Sequence, residues 1–550
     1  MRLTATVSPQ CAVIRRSASV DFSELRHQKI RAQCVLCLGR ACRRCGELAW
    51  KLQGGKSAIA GLHSNWIVDR VLAMQRPSSR AIVTHGLLES FNHCGIGAIF
   101  NLQEPGEHAA CGDGILQGGF SYAPEELMAR GIRFYLFSWR DLKTPTSSTM
   151  LNCVKVMAGE LERGVAIAVH CHAGLGRTGV AIACLLVYLV AADPTAAIAL
   201  VRKRRPGSVQ KRKQEIFVER FAARVAALRT VWPTAAPAEV GALTLDEVLE
   251  RQYELLHGAH AQRLRTTPQV VLACCTRLEA LAPDAAAAEE VGLALACAAE
   301  LAPVGDAAAE AAASSALSEA LVADADAEAS GLALALAAVP TPNDEGSPAC
   351  SAPSKLRASL DAAHDGLYRL RDEAAASAAA TVLVEWLEAL RAPVLPAEVR
   401  DHLAARIAVP LLVDVAALSL PALLEATLSS AGAASTAARV ARMLRRVRER
   451  GCLAATFDVA CARVGAALCG GDDGNDCNSD PGALMAALVE RADSGAVEPE
   501  LSPPPHFAAA WAAPPRRADD RRHAVRGGGA ARGPRRGGRE GGDLRWSLGV

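Results

Sequence analysis

The stretch Val165-Ala166-Ile167-Ala168-Val169 is apolar throughout and runs directly into His170-Cys171-His172-Ala173-Gly174-Leu175-Gly176-Arg177-Thr178-Gly179. A further apolar run then continues to Ala192. A short strand with no polar side belongs in the middle of a sheet covered on both faces, which in practice means a largely parallel sheet. The glycines turn the chain into a helix that can cover one of those faces. Residues 97–102 and 132–137 read as two more strands, and helical spacing recurs over residues 79–91, 146–163, 179–190, 194–204 and 211–228. Strands alternating with helices predict an α/β domain whose central, mostly parallel sheet is flanked by helices.

Bulky residues say where that domain stops. Of 22 aromatic residues, 15 lie at or before residue 232, and the remainder of the chain is rich in alanine. The expected organisation is a polar, cysteine-containing segment over 1–57 and the α/β domain over 58–232. A helical extension over 240–285 follows, then an Ala-rich helical region over 286–470 with a linker at 340–354. A disordered Gly/Pro/Arg-rich tail occupies 471–550. The longest apolar run, about fourteen residues, is short of the ~20 needed for a membrane span. A formal net charge of +2 gives no global attraction to nucleic acid. Arginine outnumbers lysine 51 to 9, which reads as coding bias and lowers the weight of the Arg/Gly tail as an RNA-binding signal. The N-terminal region lacks a continuous apolar stretch, so a reduced, cytoplasmic setting is expected.

The turn after His170 is built to bind a phosphoryl group. Backbone N–H groups of His172, Ala173, Gly174, Leu175 and Gly176 can face an oxyanion, with the positive end of the next helix behind them. Arg177 adds a planar fork that matches two phosphoryl oxygens. In such a field the Cys171 thiol is expected to ionise readily and attack phosphorus. The Thr178 hydroxyl can hydrogen-bond the sulfur, and His170 can orient the loop through its ring nitrogens. A second His-Cys pair, His93-Cys94, has Phe100 where an arginine would have to stand, so it lacks this chemistry.

A leaving oxygen also needs a proton. Asp141 follows a predicted strand and stands thirty residues before Cys171, the position of a general acid on a separate loop. Trp139 and Pro145 would frame that loop. Gln214 and Gln210, four residues apart and expected on one helix face, are the candidates for placing a hydrolytic water. Glu104 and Glu107 are the reserve carboxylates. No metal or cofactor is required by this chemistry.

His170-Cys171-x5-Arg177-Thr178, with Asn101-Leu102-Gln103-Glu104-Pro105-Gly106-Glu107-His108 and Arg205-Pro206-Gly207-Ser208-Val209, resembles the cysteine-dependent protein tyrosine and dual-specificity phosphatases. The form HCHAGLGRTG is similar to their cell-division-cycle-14-type branch. The resemblance runs over about residues 39–281. It implies Cys171 as nucleophile, Arg177 as phosphate ligand, Asp141 as acid and phosphorylated proteins as substrates. It also implies a cilium or centrosome location. Loops of the phosphatase-and-tensin type carry lysines where His172 and Leu175 stand here, which makes a phosphoinositide the lesser alternative. A catalytically idle phosphoprotein-binding scaffold would have no need of Cys171, Arg177 and Asp141 together.

Cys34, Cys37, Cys42 and Cys45 have paired zinc-ligand spacing. The four residues between the pairs are few for wrapping four ligands around one ion, so a zinc site is not expected here.

Overall fold

The computed structural model of the chain describes residues 39–52, 57–233, 241–296 and, with short interruptions, 360–492. Cys34, Cys37, the expected linker at 340–354 and residues 493–550 lie outside the described residues.

Five strands form one sheet: β1 (Ser64–Val68), β2 (Val71–Met74), β3 (Ile96–Asn101), β4 (Arg133–Leu136) and β5 (Ala166–His170). Their order is β1-β2-β5-β3-β4. The β1–β2 pair is antiparallel, and the other three pairings are parallel. The strand carrying the phosphate-loop signal is therefore central, as its lack of a polar side required. All five of its residues are buried. The period-2 alternation sends Ile167 and Val169 into one core and Ala168 into the other.

Helices cover both faces. α1 (Gly46–Lys51) precedes the sheet, and α2 (Ser79–His85), α3 (Leu87–His93) and α4 (Pro124–Met128) belong to one side. α5 (Ser147–Glu162), α6 (Gly176–Val190), α7 (Pro194–Arg204) and α8 (Arg212–Arg229) pack on the other. α6 is buried along its length from Gly176 to Leu189. One continuous helix was expected over 79–91, but Gly86 at φ 58 ends α2 and opens α3. The β1–β2 hairpin was not anticipated. Its turn uses Asp69 and Arg70, the latter at φ 61, and contains no glycine to mark it.

A third hydrophobic core joins residues 232–295 to the helices after residue 360. Trp386 is fully buried there and its indole N–H donates to the Val231 carbonyl at 2.9 Å. The segment expected to open the tail contains a further helix, Pro481–Arg491, capped by Asp480 and buried through Leu484, Met485, Leu488 and Val489. Among the described residues, no helix is long and apolar enough to cross a membrane.

Candidate active site

Every carbonyl of the loop between β5 and α6 is held from outside. His172 O accepts from the Arg76 backbone N–H at 3.1 Å, and Leu175 O accepts from the Val209 N–H at 3.3 Å. The buried guanidinium of Arg205 donates to Ala173 O at 3.0 Å and to Gly174 O at 2.6 Å. Because N–H and C=O of a trans peptide point in opposite directions, these contacts turn the N–H groups of Ala173, Gly174, Leu175 and Gly176 inward. Gly174 sits at φ 68, and a Cβ there would lie 1.9 Å from Met74 O. Only glycine fits, since the backbones of β2 and the loop touch. Arg205 is itself fixed by Asn65 Oδ1 at 2.6 Å. Its role was missed in the sequence, where it is the last of four adjacent cations, Arg202 to Arg205, before Pro206.

Cys171 lies buried at the end of β5. His170 beside it is fully buried, and that burial pushes its pKa down to about 3, so the ring is neutral. Its Nδ1–H donates to Cys171 O at 3.2 Å, which leaves Nε2 to accept from the Tyr122 hydroxyl at 2.7 Å. The buried Thr178 hydroxyl and Arg177 Nε have no protein partner. Those are the donors a loop ligand would take up.

Arg177 is fully buried and meets two carboxylates. Its Nη1 donates to Glu107 Oε2 at 2.7 Å, its Nη2 donates to Glu107 Oε1, and Leu102 O and Trp139 O accept from Nη1 at 3.0 and 2.8 Å. Burial alone would weaken its hold on the proton, but the Glu107 carboxylate more than restores it, and its pKa is raised. Asp141 Oδ1 lies 3.3 Å from Arg177 Nη2, and Asp141 Oδ2 lies 3.3 Å from His108 Nε2. Burial pushes the Asp141 pKa upward, yet the His108 hydrogen bond and the Arg177 charge prevail and hold it at about 2. Trp139 closes this loop, its indole donating to Lys143 O at 3.2 Å. Asp141 thus lies beside Arg177, while Glu107 is paired with Arg177 through both oxygens.

Gln214 is buried at the start of α8, with Oε1 accepting from Gln210 N at 2.9 Å and Lys211 N at 3.3 Å. Its Nε2 has no protein partner and lies over Gly176. The expectation that Gln210 and Gln214 share a helix face is corrected here. α8 begins at Arg212, so Gln210 precedes it and reaches Gly176 from an extended segment.

Residues 73–191 match the family model described as a polymorphic toxin system, DSP-PTPase phosphatase. The chain is 42% identical over 260 residues to Protein tyrosine phosphatase domain-containing protein 1 of Danio rerio, covering 47% of this chain and 36% of that protein. It is 31% identical over 163 residues to the Dual specificity protein phosphatase CDC14C of Symphalangus syndactylus, covering 28% of this chain and 30% of that one. The chain thus spans about a third of the length of the curated relatives it matches. The crystal structure of Tk-PTP in the active form shares 22% identity and a TM-score of 0.25, covering 29% of this chain and 97% of that one. By family model and relatives alike, the α/β domain is similar to the protein tyrosine and dual-specificity phosphatases.

Proposed function

We propose that the domain hydrolyses phosphate monoesters on phosphorylated proteins, on tyrosine and on serine or threonine, through a phosphocysteine intermediate. The observation that carries this reading is the ring of four inward N–H groups closed by Arg177 beside Cys171. Cys171 Sγ attacks phosphorus as the thiolate, the bond to the leaving oxygen breaks, and Asp141 gives that oxygen its proton. Gln214 Nε2 then orients a water. Asp141 takes one of its protons as its oxygen attacks phosphorus, the P–S bond breaks, and inorganic phosphate leaves with the thiolate regenerated. Thr178 supports the departing sulfur.

Asp141 must be protonated to act first, and with Arg177 and His108 as neighbours it is not. A bound dianion supplies the change: it takes over the Arg177 charge and favours a proton on the nearest carboxylate. His172 supports a protein rather than an inositol polyphosphate substrate. Burial lowers its pKa to about 4, so it offers no cation to additional phosphates.

The deciding measurement is kcat against leaving-group pKa for the wild type and Asp141→Ala. The variant should lose ~10²–10⁴-fold on phosphotyrosine and far less on a fluorinated aryl phosphate whose phenolate departs unaided. Equal losses on both substrates would remove Asp141 from the acid role.

A further inference from the structure

Beside the phosphate loop, three thiols and an imidazole that the reaction does not use meet in a buried cluster. Cys42, Cys45 and Cys111 are at most 2% exposed and His172 is 4% exposed. None of the three cysteines is in a disulfide. Cys42 Sγ is the hub: the Cys111 and Cys45 thiols hydrogen-bond to it, His172 Nε2 lies 3.8 Å away, and the Arg44 backbone N–H points at it from 3.4 Å. The ligand atoms of Cys42, Cys45 and His172 lie within 4.8 Å of one another, as do those of Cys111, His172 and His108.

Zinc–sulfur bonds of about 2.3 Å and zinc–nitrogen bonds of about 2.0 Å place neighbouring ligand atoms about 3.5–3.8 Å apart. The 3.8 Å between Cys42 Sγ and His172 Nε2 already has that spacing, and His172 is the residue common to both groups, so it joins the Cys42–Cys45 pair to Cys111. The backbone is arranged to match. Gly39 O accepts both Cys42 N at 3.1 Å and Gly112 N at 3.0 Å, which pins the two cysteine segments together. Gly46, directly after Cys45, turns at φ 71. Arg76 Nη2 grips Cys111 O at 2.7 Å, and the His108 ring stacks on His172 with centroids 3.8 Å apart.

We infer that Cys42, Cys45, Cys111 and His172 form a structural zinc site that fastens residues 39–52 and the 107–112 loop to the phosphate loop. Four protein ligands leave no open position, so the ion is structural rather than catalytic. Binding releases the thiol protons to solvent. The objection raised by the short gap between Cys37 and Cys42 falls away, because the second pair of ligands comes from Cys111 and His172 instead of Cys34 and Cys37.

The test is metal content, which is independent of whether Cys171 is a nucleophile. Full-length protein purified under reducing conditions without chelator should carry about one zinc per chain by inductively coupled plasma mass spectrometry. Cys42→Ser/Cys111→Ser should fall below about 0.1 per chain, while Cys34→Ser/Cys37→Ser should keep its zinc. Since the first variant could lose metal by unfolding, the wild type is also exchanged with cobalt(II). Intense visible bands of tetrahedral cobalt with a sulfur-to-metal charge-transfer band are expected. Wild-type protein without zinc, an octahedral cobalt spectrum, zinc lost with Cys34 and Cys37, or a Cys42–Cys111 disulfide in the isolated protein would each overturn the inference.

Discussion

Glu107 and Asp141 both reach Arg177, yet they stand in different relations to it. Glu107 meets the guanidinium fork with both oxygens and is buried, so it sets where Arg177 points. Asp141 approaches it with one oxygen only, at 3.3 Å, and remains partly exposed. Glu107→Gln should therefore lower kcat/KM by ~10²-fold through misplacement of Arg177, and the loss should be the same for good and poor leaving groups. A leaving-group-dependent loss would return Glu107 to the acid role. The pH behaviour of Asp141 follows from the same contacts. Its depressed pKa adds stability that is present above the ordinary carboxylate pKa and lost as pH falls through about 2. Under the proposed mechanism the protonated form is the active one, so activity should fall as pH rises through its pKa. The kcat profile reports the substrate-bound enzyme, where the dianion offsets Arg177, and kcat/KM reports the free enzyme. The alkaline limb of kcat should lie at higher pH than that of kcat/KM, and Asp141→Asn should abolish it. Coincident limbs in the wild type would show that the bound dianion does not reach Asp141.

At the scale of elements, β5, its loop and α6 were legible because each leaves an unambiguous local mark: an apolar strand, spaced glycines and a long apolar helix. Cys171 and Arg177 were singled out from that register, and Asp141 from its place after the strand at 132–137. What stayed hidden depends on contacts across the chain. Glu107 and Arg177 are 70 residues apart, Arg205 reaches back 31 residues to Gly174, and no local periodicity encodes either. The β1–β2 hairpin escaped because Arg70 takes a left-handed conformation without glycine. Gly174 shows how a loop conformation can be over-determined. Gly174→Ala should cost at least ~2 kcal/mol in denaturant unfolding and abolish orthovanadate inhibition, since strain at φ 68 adds to a 1.9 Å collision with Met74 O. Gly106→Ala is the control. Its φ of 84 is also left-handed, but nothing lies within 4 Å of the added Cβ, so the cost should be only ~1 kcal/mol. Equal costs would mean that the collision relaxes at no expense.

For the whole molecule, the third core decides where the chain can be cut. Val270, Val271, Leu272, Cys274, Cys275 and Leu278 are buried in the core that also contains Trp386, Val440 and Leu444. A chain ending at residue 285 would leave the helix Gln269–Ala280, which carries these residues, without its cover. It should aggregate or bind anilinonaphthalene sulfonate strongly, whereas the full chain should not. A monodisperse, dye-silent product would show that residues 241–280 find their cover within the α/β domain. The strand order β1-β2-β5-β3-β4 has a consequence in time as well as in space. During synthesis β1 to β4 emerge before β5, and β2 and β3 do not pair with each other. They must wait for β5 to slide between them, and β5 delivers Cys171 at its end. Cys171 therefore arrives with the strand that joins the two halves of the sheet. A ribosome stalled before residue 166 holds two unjoined strand pairs, and the phosphate loop follows only once β5 can bridge them.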